Sequence, residues 1–180
     1  MPLVLAGATS GSTTIQATDA VTQTITLPNA TGTVITTGNI PTGSVLQVVN
    51  ATYATGVTST VSSYADTGLT ATITPTSSSN KILIIADIEG VYTSGSSNTV
   101  SNFQLVRNGT SLYVYGAAGN GATPTLTIIT GACSINYLDS PATTSAVTYK
   151  IQISNKYASG TVGCTQFGVI STMTLIEVKG

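Results

Sequence analysis

Six acidic residues, five basic residues, eight tyrosines and two cysteines carry most of the reactive chemistry of this 180-residue chain, which has no His and no Trp. Without His, histidine-based triads and the common catalytic zinc sites are excluded. A pair of carboxylates could still serve glycoside hydrolysis. The candidates are Asp66, Asp87, Glu89, Asp139 and Glu177, and only Asp87 and Glu89 lie close together. Two apart on a strand, they share a face, which reads as a solvated or ion-paired edge. Asp139-Ser140-Pro141 reads as an Asx-type turn. GAAGNGA, Gly116 to Ala122, lacks the Lys-Ser/Thr and the following helix of a phosphate loop and reads as a loop tip. Cys133 and Cys164 read as small buried residues on neighbouring strands, with a disulfide left open. The sequence therefore predicts no enzyme, no catalytic residue, no metal site and no cofactor.

Tyrosines offer recognition chemistry instead. Tyr113 and Tyr115 fall two apart in SLYVY, so they share a face and form a candidate surface-binding patch. The simpler reading makes them half-buried sheet filler.

The elements that must position these residues follow from composition. Ser and Thr supply 55 residues and apolar types 41% of the chain, while only 11 residues are charged. Enough Val and Ile are present for a core, and the Thr, Val, Ile and Tyr bias favours strands over helices. A net charge of −1 gives no electrostatic reason to bind nucleic acid or an anionic membrane. The longest apolar run, Ile82 to Ala86, suits a buried strand and falls far short of the roughly 20 residues of a spanning helix. MPLVLAGA carries no Lys or Arg, so no secretory signal is expected, and folding in the cytoplasm where the chain is made is.

Three regions are expected. Residues 1–39 read as a short β arm with strands at Thr13–Ala17, Val21–Leu27 and Thr33–Thr37 and core-facing residues Ile15, Ile25, Leu27, Val34 and Ile35. A meander of this size buries too little surface to stand alone, so the arm is expected to serve assembly or attachment. Residues 40–44 form a linker. Residues 45–180 read as an antiparallel β-sandwich, jelly-roll-like, with strands at Val45–Tyr53, Thr58–Ser63, Ala71–Thr74, Lys81–Tyr92, Asn102–Arg107, Ser111–Tyr115, Thr125–Leu138, Val147–Ser154 and Gly168–Val178. Asn108-Gly109 specifies a two-residue hairpin, because both turn positions need positive φ. The fold class is all-β.

The pieces GATSGSTTIQA, TITLPNATGTVITTGN, GSVLQVV, ITPTSSSNKILI, LVRNGTSL, YLDSPATTSAVTYKIQI and STMTLIEVKG, in this order, resemble bacteriophage tail-fibre-like proteins, especially those of marine and cyanobacterial phages. The resemblance implies a virion surface protein, commonly a homotrimer, whose C-terminal module points outwards, and it implies no catalytic residue. With one brief arm, one module and no coiled coil or shaft repeat, the chain reads as a capsid decoration (cement) protein or head fibre. The alternative is a tail-fibre or receptor-binding adhesin. Expected partners are other copies of the chain, a major capsid protein or a tail or baseplate protein, and a host surface glycan.

Overall fold

A computed structural model describes residues 3–6, 12–15, 40–95, 98–120 and 127–180. The chain divides into two compact units, Met1–Thr36 and Thr37–Gly180. In the first, β1 (Leu3–Ala6) pairs antiparallel with β2 (Ser12–Ile15), Leu3 opposite Ile15. The expected strands Val21–Leu27 and Thr33–Thr37 lie outside the described residues, as do Ile25, Leu27, Val34 and Ile35.

The second unit holds β3 (Val45–Tyr53), β4 (Val57–Ser59), β5 (Ala65–Ile73), β6 (Lys81–Gly95), β7 (Thr99–Arg107), β8 (Thr110–Asn120), β9 (Thr127–Asp139), β10 (Val147–Asn155), β11 (Thr161–Cys164) and β12 (Ser171–Val178). Every pairing among them is antiparallel. One sheet runs β5-β10-β7-β8; the other carries β9, β6, β12 and β3 side by side, with β11 and β4 continuing the lines of β12 and β3.

Nested pairing identifies the roll. Take the eight long strands in chain order. First pairs with last (β3 with β12), second with seventh (β5 with β10), third with sixth (β6 with β9) and fourth with fifth (β7 with β8). One long hairpin has thus been wrapped into two facing sheets, and β12–β6 and β10–β7 zip it shut. That is a jelly roll, and the expected all-β sandwich is what forms.

Local chemistry explains each layer. Alternation puts Ile82, Ile84, Ala86 and Ile88 of β6 inside, against Leu69 and Ile73 of β5 and Ile151 of β10, all at most 2% exposed. At Gly90 the phase slips, so that Val91 and Thr93 become the buried residues. Gly90 has φ +56, and a Cβ there would meet the backbone of Gln166 at about 2.5 Å. This bulge sits where β12 leaves β6 and β11 takes over, and Thr165 N–H donates to the Glu89 carbonyl there at 2.7 Å. At the β7–β8 turn Asn108 and Gly109 have φ of +45 and +89, as a primed two-residue hairpin requires.

Some boundaries differ from expectation. β5 begins at Ala65, six residues before the expected Ala71. β8 runs through Gly116 to Asn120, so most of GAAGNGA is strand and not loop tip. Gly168 has φ +76 and belongs to the turn before β12, which starts at Ser171.

Candidate functional site

A sandwich has two side walls, where the edge strands of its sheets face each other. Here β3 faces β5 on one side and β8 faces β9 on the other.

The β3/β5 wall is closed. Gly68 has φ +89, and a Cβ there would lie 2.2 Å from the Tyr53 ring, so the ring rests directly on the β5 backbone. Further along, Gln47 Nε2 donates to the Thr74 carbonyl at 2.8 Å and to Glu177 Oε2 at 2.6 Å. Glu177 follows Met173 and Leu175 on the inward face of β12 and is 0% exposed. Its Oε1 accepts from the Thr76 backbone N–H at 2.7 Å, the Thr76 hydroxyl at 2.8 Å and Asn80 Nδ2 at 2.6 Å. Burial pushes its pKa up, but the bonds from Asn80, Gln47 and Thr76 together outweigh that and hold it below the ordinary carboxylate value. On the outside of β5, Asp66 is lowered by its hydrogen bond from Lys150, 2.8 Å away, and by one from Gln152. Glu177 is thus a clasp for the β5–β6 turn, a role its spacing from Leu175 could have signalled.

The β8/β9 wall is open. A cleft of about 360 Å³ is lined by Tyr113, Tyr115, Cys133, Ile135, Asn136 and Tyr137, among others. Tyr113 and Tyr115 share the inward face of β8, with ring centroids 5.9 Å apart. Tyr137 of β9 comes within 6.1 Å of Tyr113, and Phe103 stacks below Tyr115 at 5.8 Å. Tyr113 stays 49% exposed. The Tyr115 hydroxyl is shielded from solvent and has no hydrogen-bond partner among the described residues. Burial, with the two thiols as a smaller cause, pushes its pKa up. Among the described residues no charged side chain lines the cleft.

One end of this wall is tied. Arg107 Nη1 donates to both carboxylate oxygens of Asp139 at 2.8 Å, and the buried Tyr149 hydroxyl donates to Oδ2 at 2.6 Å. Asp139 is therefore an ion-paired bridge between the sheets, in place of the expected turn initiator. Burial raises the Tyr149 hydroxyl's pKa, and the bond to Asp139 adds to it.

The remaining candidates do not converge. Asp87 and Glu89 lie on the outer face of β6; Asp87 accepts a hydrogen bond from the Ser134 hydroxyl. Cys133 and Cys164 are free thiols on either flank of β6, and burial pushes Cys164 up to about 11. Among the described residues no three acidic, Cys or His side chains could share a metal ion, and no helix is long and apolar enough to cross a membrane.

No protein-family model and no curated protein matches the chain. Among solved structures it is similar to the VP2 subviral particle of infectious bursal disease virus (14% identity, TM-score 0.38, 99% of this chain and 38% of that one). The Gx strain of that virus gives 13% identity, a TM-score of 0.36 and coverage of 76% and 34%. The Gt strain gives 14%, 0.34, and coverage of 98% and 46%. The chain thus spans less than half the length of each. A likeness this distant carries no functional argument, and the jelly roll stands on its own strand pairing.

Proposed function

We propose that the chain is a non-enzymatic structural protein of a phage virion: a trimeric capsid decoration (cement) protein or head fibre attached by its N-terminal arm, residues 1–39. The observation that carries this reading is the junction of two unlike units. Ala20 to Asn39 has no charged residue and alternates Thr with Ile, Leu and Val, as a strand does that pairs with other chains. The unit beyond it is a jelly roll, an architecture that capsid and lectin domains share. The resemblance of the ordered sequence pieces to phage surface proteins supports the same reading.

Residues 40–44 act as the joint, and Ile15, Ile25, Leu27, Val34 and Ile35 fill a core shared with the attachment partner. Three copies closed about an axis leave fewer open edges than one. A chain beginning at Ser44 is expected to fold but not to attach to particles, scored by co-sedimentation with virions. Normal attachment of that truncation sinks the arm. Cryo-electron microscopy then places the protein: many copies over the shell support decoration, and a handful at the tail refute it.

A second reading, a tail-fibre adhesin, is favoured by one observation, the half-exposed Tyr113 ring in its cleft. It expects the protein to bind host cells or a surface glycan, and silence on a glycan array and on host cells counts against it.

A further inference from the structure

We infer that the β8/β9 side wall is the surface on which a second copy of the chain docks. This deepens the self-assembling reading above and rests on it.

The backbone makes the first point. Among the described residues no strand pairs with the outer edge of β8 or of β9. These edges are eleven and thirteen residues long. Proteins that stay single guard such edges with Lys, Pro, inward charges or bulges. Of these, β8 has register shifts opposite Val100/Asn102 and Leu105/Val106. Neither strand contains Lys, Arg, Glu or Pro, and the one acid, Asp139, is held by Arg107.

Side chains make the second. Tyr113, Val114 and Leu138 are 49%, 52% and 53% exposed. Tyr113 opens into the cleft, while Val114 and Leu138 follow the opposite parity and lie on the outer faces of their sheets. Apolar surface therefore wraps both edges. The wall carries no net charge, so a neighbouring copy of this nearly neutral chain meets it without like-charge repulsion.

Area makes the third. The stretches whose side chains are described, 110–116 of β8 and 130–139 of β9, run about 25–35 Å, and two edges with their flanking side chains, on sheets about 10 Å apart, span roughly 20 Å. The wall offers on the order of 600 Å² per partner, which clears the total of about 1,000 Å² that a specific interface needs. A saccharide in the cleft would cover the rings but leave both backbone edges unpaired, whereas a second copy covers edges and rings together. The opposite wall suits docking less, because Tyr53 has already closed it and the Asp66–Lys150 pair charges its rim.

The test is sedimentation velocity on the full chain at micromolar concentration, with amide hydrogen exchange read along β8. The variants are Val114→Lys, Ser111→Lys and, on the opposite edge strand, Val48→Lys; Val48 is 58% exposed and matches Val114. We expect an assembled wild type with protected outer-edge amides in β8. Val114→Lys should dissociate it, raising the dissociation constant at least ten-fold, with Val48→Lys unchanged. Ser111→Lys, at an exposed position of the same strand, gives the same readout if Val114→Lys fails to fold by circular dichroism. An assembled wild type that tolerates both β8 lysines, or that Val48→Lys dissociates, overturns the docking wall alone. A monomeric wild type overturns self-assembly as well. Protection of β8 that arises only on adding host polysaccharide overturns the wall in favour of the adhesin reading.

Discussion

The two side walls are built from similar residues and reach opposite outcomes. At β3/β5 a tyrosine meets a glycine, so the Tyr53 ring lies on the Gly68 backbone and shuts the gap. At β8/β9 tyrosine meets tyrosine, and rings 6.1 Å apart prop the gap open. The first wall also gathers the donors of Gln47, Thr76 and Asn80 on a buried carboxylate. In the second the Tyr115 hydroxyl finds no partner among the described residues. A closed wall is one whose polar groups satisfy one another at close approach; in the open wall the Tyr113 ring meets another ring, and the Tyr115 hydroxyl has no acceptor among the described residues.

The largest test of this contrast is Glu177→Ala. It removes the shared acceptor of the Thr76 N–H, Gln47 Nε2 and Asn80 Nδ2; Thr76 is exposed and Gln47 keeps the Thr74 carbonyl, so the buried Asn80 amide loses most, keeping only Thr76 Oγ1. A buried donor so weakened costs about 1–3 kcal/mol, and the more exposed donors add little, so the variant should lose about 2–3 kcal/mol in urea denaturation. A loss below about 1 kcal/mol, the scale of an ordinary surface change, would mean that the carboxylate does not hold the wall shut.

Much of this architecture was legible because it is local. Val45–Tyr53 was read to the residue, and Asn108-Gly109 announced its own hairpin. The start of β5 is hidden because Asp and Gly are depleted in strands, whereas Gly68 is there to receive Tyr53 from another strand. Gly and Asn likewise disguised the far end of β8. The shared face of Tyr113 and Tyr115 follows from a spacing of two, but their partner Tyr137 comes from β9 and no local pattern announces it. In the sequence Glu177 stands only as a candidate catalytic acid, although its parity with Leu175 places it inward. Non-local meetings of side chains decide both walls, and alternation alone does not reach them.

Acid should separate the walls next. The folded-state pKa of Glu177 lies below its ordinary 4.5, so its contribution is fully present above that value and is lost as pH falls through the folded pKa. Asp66, lowered from 3.8 by Lys150 and Gln152, loses its smaller, solvent-screened contribution in the same direction. Thermal melts from pH 7 to pH 3 are expected to stay level to about pH 5 and then decline. Glu177→Gln should remove most of that decline, while Tyr113→Ala should leave it intact. A decline that survives Glu177→Gln would assign acid sensitivity elsewhere and weaken the clasp.

The smallest effect is expected at the open wall. Tyr113 is 49% exposed and rests on two other rings, so Tyr113→Ala forfeits only part of an aromatic burial, about 1 kcal/mol in the dissociated chain. Tyr53→Ala, at the closed wall, should cost about twice as much, because its ring fills the space over Gly68 and leaves a gap when removed. Chemical denaturation at a dilution where the chain sediments as a monomer compares the two. In the assembled protein the ranking should narrow or reverse, since a docked copy buries Tyr113 and adds its own surface to the cost of removing it. Equal losses in the dissociated chain would mean that both walls are packed alike, and nothing in the β8/β9 edge would then call for a partner.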